Sequence, residues 1–394
     1  MLNIKISILA INFVFLTDTI TYLDYNATTP VDERVVKIVN YYFSHFYGNA
    51  SSLHAFGNSS MKDINNVKYS IGNLLNAEPK NVHFTSGATE SINLGLKGLA
   101  LHPNNTKKHI ITCTTEHNAV LETCNYLESI GFNIDYLNVN HQGMIDLDLL
   151  KSKINEDTLL ICLMWVNNET GVIHPIEEIG RIAKQSEVYF VCDGTQGVGK
   201  LPIDVVSSNI DILCFSGHKL YAPKGIGAIY IDDSITKQNK IQPLIHGGGQ
   251  ENGIRSGTYN VPLIAGLGLA CDIAQNEMAI NESQIKQLRD YLESELLKIE
   301  GTYLNGSSQN RIYNTVNVCI PGFDTEIFIG MNRDIAVSNG SACSSALIQP
   351  SHVLLAMGLS NNDAMNSLRI SLGKHNTKKD IDLLLQRIDN FLNS

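Results

Sequence analysis

The chain has no run rich in lysine or arginine: its 29 Lys and Arg are outnumbered by 39 Asp and Glu, a formal net charge of −10 over 394 residues. Nothing in such a chain tracks a phosphate backbone, which excludes nucleic acid as a direct partner. The eight cysteines form no C-x-x-C pair and keep no regular spacing. Neither a zinc site nor a secreted disulfide framework is therefore expected, and a reducing compartment, the cytoplasm, fits best. There is no internal repeat and no low-complexity tract. An apolar run occurs near the start, from Ile6 to Leu16 behind a single Lys5. It is too short to span a bilayer comfortably, so no membrane partner is expected. The TDTITYLDY that follows lacks an A-x-A cleavage site, and the segment is not rich in Arg and Ser as an organellar leader would be. Residues 1–20 are read as an N-terminal extension, an extra strand or an upstream start, ahead of a targeting segment.

With 43% hydrophobic residues the chain can bury a large core, and its length suits two or three domain-sized units. From Val82 to Ile231 short β-rich runs alternate with amphipathic segments, the pattern of an α/β fold. The expected strands are Val82 to Phe84, His109 to Thr115, Ile134 to Val139, Leu159 to Val166, Tyr189 to Asp193, Ile212 to Phe215 and Gly227 to Ile231, seven in one sheet. Most are continuously apolar, as in LLICLMWV, which suits strands covered on both faces. After Thr258 the spacing turns helical, with Ile280, Ile285, Leu288, Leu292 and Leu296 predicting a helix within Asn276 to Glu300. The strand NTVNVCI and a last helix opened by a Thr377/Asp380 capping box complete the pattern. A large domain over 21–260 and a smaller α+β domain over 261–394 are expected.

Seven cysteines fall within apolar strands or helices: Cys113, Cys124, Cys162, Cys192, Cys214, Cys271 and Cys319 read as core. Cys343 alone lies in a loop of small residues, SNGSACSSA, which suits either a reactive thiol or an incidental surface cysteine. In FTSGATES a short strand passes into an apolar-periodic segment, placing Ser86, Gly87, Ala88 and Thr89 at a helix N-terminus. That is an ordinary cap or a phosphate seat. Asp193 ends the strand YFVCD, where a carboxylate either forms a turn or is held at the carboxyl edge of a parallel sheet. Lys219 follows a strand in ILCFSGHK; a solvated loop lysine is the commoner reading, a desolvated amine the functional one. The three together are far rarer than any one of them.

The runs YLDYNATTP, FTSGATES, TTEHNAV, VNNETG, CDGTQGVGKLPID, FSGHKLYAPKGIGA, HGGGQENGIRSGT, SNGSACSSA and SLRISLG stand in one order along the chain. On these nine motifs the chain, from Tyr22 to about Leu392, resembles the cysteine desulfurases of the iron–sulfur-cluster type. These belong to the class V aminotransferase family, within the fold type I pyridoxal-phosphate enzymes. The resemblance implies a mainly parallel sheet in the large domain, pyridoxal 5'-phosphate as cofactor, and removal of sulfur from L-cysteine to give L-alanine.

By the same resemblance, Lys219 bonds covalently to the cofactor, Asp193 pairs with its ring nitrogen, and His117 stacks on the ring and assists proton transfer. Gln196 and Asn168 match groups near the ring hydroxyl, and Ala88, Thr89, Ser216 and His218 match the phosphate cradle. Thr258 corresponds to a residue that reaches the partner subunit's phosphate, implying a homodimer. Arg369, with Asn49 and Asn168, holds the substrate carboxylate, and Cys343 takes the sulfur as a persulfide. No metal of the chain's own is implied; Cys343 would ligate a cluster only transiently, with a scaffold partner. The acceptor of the sulfur stays open between an iron–sulfur scaffold, a tRNA-thiolation relay and a DNA sulfur-modification system. Ala50 stands where many relatives have proline, Asn339 replaces a small residue before the cysteine loop, and the chain stops after its last helix. The missing tail puts scaffold docking in doubt. A selenocysteine lyase or an aminotransferase of the same fold is the nearest alternative. A cofactor-free thiol hydrolase using Cys343 and His117, or a non-catalytic sulfur carrier, is a more distant one.

Overall fold

The computed structural model describes residues 20–340 and 349–393; Cys343 and the apolar run at 6–16 lie outside them. In chain order the first part holds β1 (Thr21–Tyr22), α1 (Glu33–Ser44), α2 (Ala55–Leu75), β2 (Val82–Thr85), α3 (Ala88–Ala100), β3 (His109–Cys113), α4 (Asn118–Ser129) and β4 (Asn133–Leu137). The middle holds α5 (Leu147–Lys153), β5 (Thr158–Met164), α6 (Ile176–Gln185), β6 (Tyr189–Asp193), β7 (Ile212–Ser216), β8 (Gly227–Ile231) and α7 (Asp233–Thr236). The last part holds α8 (Val261–Leu296), β9 (Tyr303–Leu304), β10 (Thr315–Cys319), α9 (Thr325–Met331), β11 (Ile335–Ala336), α10 (His352–Ala356), α11 (Asn361–Met365), β12 (Ser367–Ser371) and α12 (Lys378–Leu392).

All seven expected strands form one sheet, in the order β2-β8-β7-β6-β5-β3-β4. Their observed ends fall within two residues of the expected ones. Neighbours from β7 to β4 are parallel, whereas β8 runs antiparallel to both β7 and β2. Because the strands are apolar on both faces, each feeds two cores: Ile161 and Leu163 of β5 enter one, Leu160 and Cys162 the other. Burying each such aliphatic side chain contributes about 1.5–3 kcal/mol. Edge strand β4 is the least covered: Ile134 enters one core and Leu137 the other, while Asn133 is exposed and Asp135 and Tyr136 are half-buried. From β3 the chain passes outward to β4 and then returns to β5 on the other side. The strand order thus reverses between β3 and β5, and a crevice opens there at the carboxyl ends.

The other elements bring distant segments to that edge. Strand β10 is central in a three-stranded antiparallel sheet, where Asn317 pairs with Arg369 of β12. Strand β1 pairs in parallel with β11, and Asp24 bridges to Ser371. Residues 21–26 are thereby stitched to the C-terminal strands and pass over the large sheet. Helix α8 starts at Val261, earlier than its expected start at Asn276, because the Asn260 side chain caps it and Pro262 sits in its first turn. It is long and apolar enough to cross a membrane by composition alone, but here it packs on α1, α2 and α12 as a core helix. Ile285, Leu292 and Leu296 are buried as the spacing predicts; Ile280 is exposed, lying outside the buried stretches of the helix. The Thr377/Asp380 capping box opens α12 as expected, and the seven core cysteines are all buried.

Candidate active site

At the carboxyl ends of the parallel strands lies a cavity of about 560 Å3, and the turns after β2, β3, β5, β6 and β7 all contribute to its lining. Ala88, Thr89, His117, Asn168, Asp193, Gln196, Ser216, His218, Lys219 and Arg369 all line it. Thr258 and Asn49 do not: both are exposed, and Asn49 Oδ1 accepts from Ser51 N at 2.9 Å in the loop between α1 and α2.

One end of the cleft is built for an anion. Helix α3 is N-capped by Gly87, and no side-chain cap among the described residues satisfies its first N–H groups, which leaves them and the positive end of the helix dipole for a ligand. Gly87 has φ +153°, and a Cβ on Gly227 would stand 2.7 Å from Gly87 Cα and 2.6 Å from Phe215 O. Only two glycines allow the β2–α3 turn to sit this close to the sheet. The acidic residue in the first turn, Glu90, is neutralised by Arg255, whose Nε lies 2.8 Å from Glu90 Oε1. His218 beside this turn is pushed down to about 4 by burial, with the Lys219 charge adding to it; it is a neutral ring.

Lys219 follows β7, with Nζ donating to the carbonyls of Asn26 at 2.6 Å and Ala27 at 2.7 Å. Burial, reinforced by the Arg369 guanidinium, lowers its pKa from 10.5 to about 8. The neutral amine that nucleophilic chemistry requires is thus far more abundant near neutral pH than in an unburied lysine, though the cation still predominates below about 8. Asp193 ends β6 buried, with Oδ1 accepting from Thr195 N at 2.9 Å. His117 caps α4: its Nδ1 accepts from Ala119 N at 3.0 Å, so the neutral ring carries its proton on Nε2. Burial lowers its pKa, the Asp193 carboxylate opposing.

Arg369 occupies the other end. Its Nη2 pairs with Asp24 Oδ1 at 2.8 Å and its Nη1 donates to Asn168 O at 3.2 Å. Its buried Nε–H, and the buried Thr195 Oγ1 in the same cleft, have no hydrogen-bond partner among the described residues. Such groups ordinarily face a ligand or water. The arrangement therefore offers an anion seat, a nucleophilic amine, a buried carboxylate, a ring donor and a guanidinium within one cavity.

Several cleft residues escaped the sequence reading. Asp24, Asn26 and Glu169 stood inside quoted motifs but carried no assigned role. Asn26 ties the site together: its carbonyl also accepts from Gln196 Nε2 at 2.9 Å, and its side chain donates to Asn168 O at 3.1 Å. Glu169 is buried, accepts from the Ser351 hydroxyl, and is pushed up to about 7 by burial. His352 belonged to no motif; it lines the cleft with Nε2 donating to Glu116 O at 3.0 Å.

The aminotransferase class-V family matches residues 21–384, and the chain belongs to that family. Among curated relatives it is 44% identical, over 374 residues, to the cysteine desulfurase IscS of Rickettsia prowazekii (strain Madrid E), covering 93% of this chain and 91% of the relative. It is also 44% identical to the cysteine desulfurase IscS of Pasteurella multocida (strain Pm70), covering 94% and 92%. Among solved structures, a NifS-like protein superposes with a TM-score of 0.88 at 36% identity, covering 95% of this chain and 99% of that one. SspA in complex with cysteine gives 0.80 at 38% identity, covering 90% and 99%.

Proposed function

We propose that this enzyme is a pyridoxal-phosphate-dependent cysteine desulfurase: it takes sulfur from L-cysteine onto Cys343 and releases L-alanine. The observation that supports this most is a buried Lys219 with a lowered pKa sharing one cleft with a guanidinium, Arg369, suited to a carboxylate. Pyridoxal phosphate fits the residues present. Its phosphate matches the uncapped start of α3, and its ring nitrogen matches the buried Asp193 carboxylate. Its aldehyde matches the amine of Lys219. When bound, it supplies an electron-accepting ring. His117 donates from Nε2 or returns a proton there, and Arg369 binds and orients the substrate carboxylate. In the net transfer the Cys343 sulfur bonds to the cysteine sulfur and the substrate Cβ–S bond breaks. A proton goes to Cβ, so the products are alanine and a persulfide on Cys343.

The exposed Thr258 belongs in this reading to a second copy's phosphate site, which makes the working species a homodimer; an acceptor protein, such as an iron–sulfur scaffold, takes the persulfide sulfur. Purified protein should absorb in the visible region. Cysteine should yield alanine, and brief exposure should add one sulfur mass to the peptide carrying Cys343. A colourless protein, or alanine formed at full rate by Cys343→Ser, would overturn this reading.

A further inference from the structure

Behind the cleft lies a second buried lysine that the chemistry above does not use. Lys200 lines a separate small cavity of about 30 Å3 on the far side of Lys219, together with Leu220, Tyr221 and Tyr313. It is buried and forms no ion pair among the described residues; Nζ donates to Gln196 Oε1 at 2.7 Å. A lysine buried without a carboxylate is costly and calls for a reason.

The Gln196 amide supplies one. Its oxygen faces Lys200 and its nitrogen faces the Asn26 carbonyl at 2.9 Å, the same carbonyl that accepts from Lys219 Nζ at 2.6 Å. Reversed, the amide oxygen would face the Asn26 carbonyl, which can only accept, and the amide nitrogen would face the Lys200 ammonium, which can only donate, so the charged lysine fixes this orientation. One of its two N–H groups goes to Asn26; the other remains for the cleft that Gln196 lines.

We infer that Lys200 is a positioning residue that locks the Gln196 side chain with its oxygen turned away from the cleft and an N–H presented to the bound cofactor. The inference rests on the cofactor reading above. Burial, with the Lys219 charge adding to it, brings the Lys200 amine down from 10.5 to about 7, and both of its protonation states donate to Gln196. The charged group that bears on Lys200 is Lys219, and those that bear on Lys219 are Arg369, Asp24, Asp193 and Lys224.

The test uses the full chain. In cofactor-free protein the Gln196 side-chain amide protons, assigned by their loss in Gln196→Ala, should exchange slowly with solvent, and roughly tenfold faster in Lys200→Met. With pyridoxal phosphate added, Kd should rise roughly tenfold in Lys200→Met, and the double variant should bind no worse than Gln196→Ala alone. Gln196→Glu keeps the acceptor facing Lys200 but loses the N–H groups, and it should weaken the cofactor as Lys200→Met does. Unchanged exchange in Lys200→Met, additive losses in the double variant, or full affinity in Gln196→Glu would each overturn the inference. If the unmutated chain took up no pyridoxal phosphate the functional reading would fall, while the exchange measurement would still decide what Lys200 does to Gln196.

Discussion

At the amino ends of the parallel strands the protein has a concavity of about 780 Å3, lined by residues including Lys107, Lys184, Asp211 and Lys240; at the carboxyl ends it has the smaller one of about 560 Å3. The larger cavity's polar groups serve the fold. Lys107 Nζ donates to Thr158 O at 3.0 Å, Lys184 Nζ to Asn209 Oδ1 at 2.9 Å, and Asp211 Oδ2 accepts from Phe190 N at 2.8 Å. At the smaller cavity Lys219 is depressed to about 8, and Arg369 Nε and Thr195 Oγ1 are buried without partners among the described residues. Volume alone would select the amino edge. Burial of reactive groups with donors left over marks the other, since a fold that needs such groups only for stability satisfies them.

The largest expected contrast comes from removing one lysine at each edge. Lys219→Ala should lower cysteine-dependent alanine formation by roughly three orders of magnitude or more, whereas Lys184→Ala should stay within about twofold. Comparable losses in the two variants would erase the distinction between the edges. Next in size, Arg369→Lys keeps the charge but loses the fork, and KM for cysteine should rise about tenfold or more. An unchanged KM would place carboxylate recognition on another residue.

A pH series sharpens the same comparison. Burial disfavours the Lys219 cation, so the amine is protonated only below about 8. Pyridoxal-phosphate uptake by cofactor-free protein should therefore rise with pH up to about 8 and level off above it. A rise continuing toward 10.5, the value of an unburied lysine, would show that the cleft does not desolvate this amine. The smallest effect belongs to the amino edge. Asp211→Ala leaves the Phe190 N–H without its acceptor and should cost about 1–3 kcal/mol in denaturant unfolding, with kcat/KM intact. A kinetic defect with unchanged stability would mean that the larger cavity takes part in the reaction.

The strands were legible because a strand covered on both faces must be continuously apolar, so β5, β6, β7 and β8 stand out as runs bounded by polar residues. The start of α8 was not legible. Its first turns hold small residues packed on α1 and α2, and small residues in sequence read as breaks until a neighbouring helix is seen to need them. Ile280 lies in the expected helix yet is exposed, because helical spacing says which side chains share a face but not where along the helix that face is covered.

The site divides in the same way. Lys219, Asp193, His117 and the β2–α3 turn could be read from local order, since each directly follows or ends a strand and so must lie at one sheet edge. By itself the sequence determined the sheet, the edge at which Lys219, Asp193 and His117 stand, and the family to which the chain belongs. Only the tertiary structure decided that Asp24 and Asn26 come to lie against Arg369, Gln196 and Lys219, and that Lys200 stands behind Gln196. Those contacts join segments up to 345 positions apart in the chain. They depend on β1 pairing with β11 and on how deeply each side chain is buried, and neither a distant pairing nor a burial depth is encoded in any local run of residues.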